Sequence, residues 1–229
     1  LAAGDGRIMV VDVTGVMHCW EQATGRRLWG VSLGSSPSGA PTIESRRAYV
    51  GTTDGRVMVF DISDGRNVGV LRSPAGLTTS IHVASGVLFF GCADNAIRAV
   101  DFDAGKVLWA ENIGRTPDSR GFAIAKDTVL VAAEGRVIAL DRMTGQRRGE
   151  LPATDMVQGL HAQRGRAFVR FRKPRSRTEP VHDVLVACAS DSMEVLWEYA
   201  LPVVGPGAMG VGSSTVALPT ASGQVVLFR

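Results

Sequence analysis

The sequence is poor in several things that would give a function away. Its three cysteines, Cys19, Cys92 and Cys188, are odd in number, far apart and set in apolar runs without a CxxC spacing. Buried free thiols are therefore expected, rather than a disulfide framework or a thiolate metal site. The four histidines, His18, His82, His161 and His182, are scattered, and no spacing puts two imidazoles on one metal. Lysine is nearly absent, with Lys106, Lys126 and Lys173 alone, so arginine carries the positive charge. With 25 basic against 22 acidic residues and a formal charge of +3, no whole-chain field selects nucleic acid or anionic lipid. No run approaches the roughly 18 apolar residues of a membrane span, so none is expected in this chain. The opening Leu1-Ala2-Ala3-Gly4-Asp5-Gly6 lacks the basic and apolar regions of an export signal. The chain reads as soluble and, without an initiator methionine, as a stretch of a longer protein whose signal or anchor lies elsewhere.

What is present is a repeat. Glu21, Asp61, Asp101 and Asp141 stand 40 residues apart, each followed four positions later by Gly25, Gly65, Gly105 and Gly145. A second series, Thr14-Gly15, Asp54-Gly55, Asp94-Asn95 and Glu134-Gly135, keeps the same period. Such pairs supply the positive φ that tight hairpins need, so each repeat carries two turns. Between the turns lie short β-rich runs such as Arg56-Val57-Met58-Val59-Phe60 and Leu88-Phe89-Phe90-Gly91. A further run follows the second turn, Arg26-Arg27-Leu28-Trp29 in the first repeat and Lys106-Val107-Leu108-Trp109 in the third. Four antiparallel strands per repeat result.

The fifth repeat is irregular. Leu196-Trp197 follows Leu108-Trp109 by 88 residues, eight more than two periods, and the sixth repeat then resumes at Ser222-Gly223 and Val225 to Phe228. One small sheet cannot cover both of its own faces, so neighbouring sheets must stack. The expected fold is all-β, a propeller of about six four-stranded blades whose last blade is incomplete. It forms one domain over 1–229, with repeats near 1–37, 38–77, 78–117, 118–157, 158–205 and 206–229. Leu1 to Ala3 are too few to supply the strand missing from the sixth. Trp29, Trp109 and Trp197, at equivalent sites, are expected to pack between blades, where an indole buries up to roughly 250 Å².

Tyr49-Val50-Gly51-Thr52-Thr53-Asp54-Gly55-Arg56-Val57, then Asp61 and Gly65, resembles a repeat of the PQQ-binding-like (quinoprotein-dehydrogenase-like) propeller family. Ala99-Val100-Asp101 through Gly105 to Trp109, and Ala139-Leu140-Asp141 with Thr144-Gly145, resemble the same step. Repeats two and four depart from it, with Gly69 and Gly149 where the closing Trp should stand. WD40 blades would show a Trp-Asp dipeptide, which the chain lacks. The family's dehydrogenases hold a quinone and calcium and commonly carry adjacent cysteines, absent here. The resemblance therefore points to the non-catalytic branch, similar to the outer-membrane assembly lipoprotein scaffold or to sensor regions of bacterial kinases. It implies no cofactor, no catalytic or metal residues, and an extracytoplasmic or cell-envelope location.

The remaining motifs are weaker. Gly205 to Gly210 satisfies GxGxxG but leads into strands rather than a helix, and Gly34 to Ser38 lacks the last glycine of a nucleophile elbow. The one local anomaly is a basic run, Arg164, Arg166, Arg170, Arg172, Lys173, Arg175 and Arg177, which overlaps the insertion in repeat five and contains no acidic residue. An ordinary exposed hairpin would turn its Phe and Val to the blade and its arginines to solvent. A functional one would use Arg170, Arg172, Lys173, Arg175 and Arg177 on a protein partner or another domain of the same polypeptide, without sequence-specific nucleic-acid binding. The expected function is a non-catalytic scaffold displaying loops to a protein partner. A small-ligand sensor is the alternative, and a degenerate quinoprotein dehydrogenase a third.

Overall fold

A computed structural model describes residues 1–153, 157–173, 182–201, 209–211, 215–219 and 225–228. They fall into two compact units, Leu1–Ser119 and Arg120–Arg229. The first unit holds three antiparallel sheets of four consecutive strands each. Sheet one is β1 (Ala2–Gly4), β2 (Arg7–Val11), β3 (Val16–Glu21) and β4 (Arg27–Ser32). Sheet two is β5 (Thr42–Glu44), β6 (Arg47–Gly51), β7 (Arg56–Asp61) and β8 (Asn67–Arg72). Sheet three is β9 (His82–Ala84), β10 (Val87–Gly91), β11 (Ala96–Asp101) and β12 (Lys106–Asn112).

The second unit opens with sheet four, β13 (Phe122–Ile124), β14 (Thr128–Ala133), β15 (Arg136–Asp141) and β16 (Arg147–Pro152). Sheet five follows, β17 (Val157–Gln163), β18 (Arg166–Lys173), β19 (His182–Ala189) and β20 (Val195–Ala200). Sheet six has three described strands, β21 (Gly210–Val211), β22 (Val216–Pro219) and β23 (Val225–Phe228). Ala2–Gly4 thus belongs to sheet one, with the same length as β5, β9 and β13. The turn residues Ser222-Gly223 lie outside the described residues.

The acidic and glycine series build the turn between third and fourth strands. In sheet two the Asp61 amide donates to Arg66 O and the Gly65 amide to Asp61 O, both at 2.9 Å. Oδ1 of Asp61 accepts the amide and hydroxyl of Ser63 at 2.8 and 2.6 Å. Those donors hold the carboxyl below its ordinary range. Asp141 does the same with the amides of Thr144 and Met143, and is lowered to about 2. The periodic acids are turn-formers. Gly65 and Gly105 sit at φ +74° and +61°, and in the fifth repeat Met193 takes this place at +60°.

Every third-to-fourth strand pair carries a bulge at one register. Ala99 pairs with Trp109 but Val100 with Val107, so Leu108 is the extra residue. Leu28, Val68, Arg148 and Leu196 occupy the same place in the other complete sheets. A bulge reverses the side on which the next side chain emerges, and the next residue is Trp29, Gly69, Trp109, Gly149 or Trp197.

Strands with both faces apolar show no period-two alternation, because each face has a neighbour. In β7, Met58 and Phe60 pack with Met9, Met17 and Cys19 of sheet one. Val57 and Val59 pack with Leu88, Phe90 and Val100 of sheet three. In the second unit, Leu130, Ala132, Val137 and Ala139 meet Val169, Phe171, Val184 and Val186. Leu185 of sheet five meets Val216 and Leu218 of sheet six.

Two predictions follow from this packing. Gly105 has open space where a Cβ would stand, so Gly105→Ala meets only backbone strain, about 1 kcal/mol. A Cβ on Gly65 would lie 2.7 Å from the Trp29 ring, so Gly65→Ala is expected to cost about 3 kcal/mol, read from denaturant midpoints; equal losses would mean that the indole is not seated there. Burial lowers His82 from 6.5 to about 4. The neutral ring is the folded form, so stability is complete above pH 6.5 and falls as pH drops toward 4, by about 2 kcal/mol at pH 5 for this group. His82→Gln should flatten that part of the stability–pH curve.

Candidate functional site

The basic run occupies β18 and the segment after it. β18 and β19 are each eight residues long, against five and six in sheets two and three. The extra length lies at the hairpin end, where Arg172 pairs with Asp183 and Lys173 with His182. Among the described residues β17 pairs up to Phe171 and β20 up to Val184, and the Leu201 amide donates to Asp183 O at 2.8 Å. Arg175 and Arg177 lie outside the described residues.

Arg170 departs from an arginine facing solvent. It is buried at 4 % exposure and held by Asp183, with Nη2 at 2.9 Å and Nε at 3.3 Å from Oδ2. Asp183 is equally buried, so the pair is satisfied internally and Arg170 is not available to a partner. The register explains why an arginine fits here. The equivalent residues are Gly51, Gly91 and Ala132, opposite Val57, Ile97 and Val137, and Arg170 stands opposite Leu185. In sheets two and three the space belongs to Leu77 and Pro117, 2.5 and 2.6 Å from where a Cβ would stand. In sheet five it belongs to a guanidinium with its own carboxylate.

Oδ1 of the same Asp183 accepts Nε of Arg172 at 3.0 Å, and that side chain is 48 % exposed. Lys173 pairs with Glu198 of β20. Asp183 and Glu198 are the site residues that sequence reading missed. No spacing marks them, because both reach the basic run only across strands.

The three tryptophans follow the bulge. The Trp29 indole donates to Ile62 O of sheet two at 3.1 Å and lies over Gly65. Trp197 packs with Leu185, Val216 and Leu218, its ring 6.3 Å from Phe168. Trp109 is buried, 6.0 Å from Phe89. Where the indole is missing, the next sheet fills the place: Phe102 lies over Gly69, and the Ser192 carbonyl over Gly149.

Other features are chemically quiet. Nε2 of His18 sits 3.1 Å from Asp12 Oδ2, but its buried Nδ1 has no hydrogen-bond partner, so no nucleophile is poised on the imidazole. A cleft of about 500 Å³ is lined by Gly6, Arg7, Glu21, Gln22 and Ala23 of sheet one. Its Gln22 is the counterpart of Ile62, so the cleft corresponds to the socket that takes Trp29 in sheet two. No group of three His, Cys, Asp or Glu fit to hold a metal occurs among the described residues. No helix among them is long and apolar enough to cross a membrane. The GxGxxG segment falls outside the described residues except for Met209 and Gly210.

A family model described as outer membrane protein assembly factor BamB matches residues 1–121 and 93–229. A curated protein of that name from Nitrosomonas eutropha is 26% identical over 146 residues, 62% of this chain. The match spans 36% of that relative, about a third of its length. The solved BamB of Moraxella catarrhalis has a TM-score of 0.73 at 15% identity, covering 98% of this chain and 70% of its own. The designed Ika8 protein gives 0.57 at 14% identity over 99% and 94%. A chain of the mitotic checkpoint complex gives 0.76 at 11% over 98% and 71%. These likenesses make the fold an all-β propeller, and their diversity shows that the fold alone does not fix a function.

Breaking the buried pair leaves a charge uncompensated, so Asp183→Asn is expected to destabilise the chain by about 3 kcal/mol. Lys173→Gln, which removes a partly exposed pair, should cost about 0.5 kcal/mol or less. Comparable losses from the two variants would place Arg170 in contact with water.

Proposed function

Because the chain belongs to the family of outer membrane protein assembly factor BamB, we propose that it is a non-catalytic scaffold that displays loops and hairpins to a protein partner. The observation that carries this reading is the anchored root of the basic hairpin in sheet five. Asp183 fixes Arg170 inside the sheet and Arg172 at its margin. A contact surface fixed before binding loses less conformational freedom on docking. The name of the matched family supports a setting in the assembly of outer membrane proteins, and with it an extracytoplasmic or cell-envelope location.

A protein partner fits the local charge better than nucleic acid does. Arg170, Arg172 and Lys173 are all paired, and Asp183 and Glu198 offset two of their three charges. Tracking a phosphate backbone requires an uncompensated basic stripe. What remains favours a small number of directed contacts from Arg172 and the neighbouring Lys173, Arg175 and Arg177.

The test is affinity capture from the native host with mass spectrometry. It compares the parent chain with a variant in which Arg172, Lys173, Arg175 and Arg177 are changed to Gln. A protein retained by the parent and lost by the variant is the expected result. If neither chain retains a protein, the scaffold reading fails.

A further inference from the structure

Resting on that reading, we infer that Arg172 is the residue through which the scaffold grips its partner, and that it takes a carboxylate side chain of a protein. Of the basic residues at the end of β18 where it turns toward β19, Arg170 is buried and Lys173 is paired with Glu198, while Arg166 lies at the opposite end of the strand. Arg172 is half-exposed and is held from behind, Nε to Asp183 Oδ1 at 3.0 Å. Among the described residues its Nη1 and Nη2 donate to nothing. With Nε engaged, these two nitrogens are the planar fork of a guanidinium, whose geometry matches the two oxygens of a carboxylate.

Asp183 is the positioning residue. Its two oxygens divide the work: Oδ2 is held by the buried Arg170, and Oδ1 orients Arg172. The carboxylate therefore cannot turn toward solvent, and the Arg172 side chain gives up its rotational freedom before a partner arrives. That preorganisation separates Arg172 from an ordinary surface arginine, whose long side chain must be ordered during binding. Arg172 also lies beyond Phe171, the last β18 residue that β17 pairs with among the described residues, in the length of hairpin that sheets two and three lack.

The test uses the full chain, labelled with nitrogen-15, and an acetylated and amidated hexaglutamate peptide at low ionic strength. The Arg172 Nε–Hε resonance, assigned by its loss in Arg172→Lys, is expected to move on titration. Arg172→Lys keeps the charge but not the fork, and should bind about tenfold more weakly with an unchanged melting temperature. Asp183→Asn should lose as much, and Asp183→Glu should recover most of it. If Arg172→Lys binds the peptide as tightly as the parent, charge alone suffices and the inference is overturned. An equal response to inorganic phosphate would make this a general anion site and overturn the assignment to a protein carboxylate. The host capture separates the two readings. A partner retained equally by the parent and Arg172→Lys removes Arg172 and leaves the scaffold; no retained protein removes the scaffold and with it the protein source of the carboxylate.

Discussion

A sheet of two- to eight-residue strands with two apolar faces has no helix among the described residues to cover either, and the protein's organisation follows from that need. Within each unit the answer is the same: one sheet's face is the next sheet's lid. Met58 and Phe60 serve one neighbour while Val57 and Val59 serve the other. Each such strand loses its polar side, and water is excluded from both. Binding chemistry is thereby pushed to the turns and hairpin ends, where the chain is free to vary without uncovering a core.

The bulge before Trp29 and before Trp197 is a device that joins successive sheets within a unit. One added residue turns the next side chain toward the neighbouring sheet, where Trp29 finds a carbonyl and a glycine. Gly69 and Gly149 keep the same interface in reverse, receiving a group rather than sending one. A departure from the repeat pattern is thus a change of direction in the contact.

Sheet five uses the same frame for another purpose. Its longer hairpin replaces a small residue by Arg170, and the buried charge is tolerated because Asp183, two residues from Leu185 along the adjacent strand, holds it with both oxygens engaged. A buried pair of this kind adds little net stability but makes one arrangement far better than its alternatives. Here that arrangement sets the direction of Arg172.

The sequence by itself determined the period, the two turns of each repeat, the all-β class and the family. Acids and glycines in tight turns are dictated by local backbone geometry, and local geometry repeats with the chain. It also marked the insertion after β18 as the anomaly. The tertiary structure decided which charges of the basic run are spent. Arg170 and Arg172 look alike in a list of residues, and only strand register places Asp183 between them. The bulges were likewise invisible, since an extra residue in a strand shows only against the strand it fails to pair with. Pairing across strands depends on distance in space rather than along the chain, so the partners of charged groups were the part that folding alone could specify.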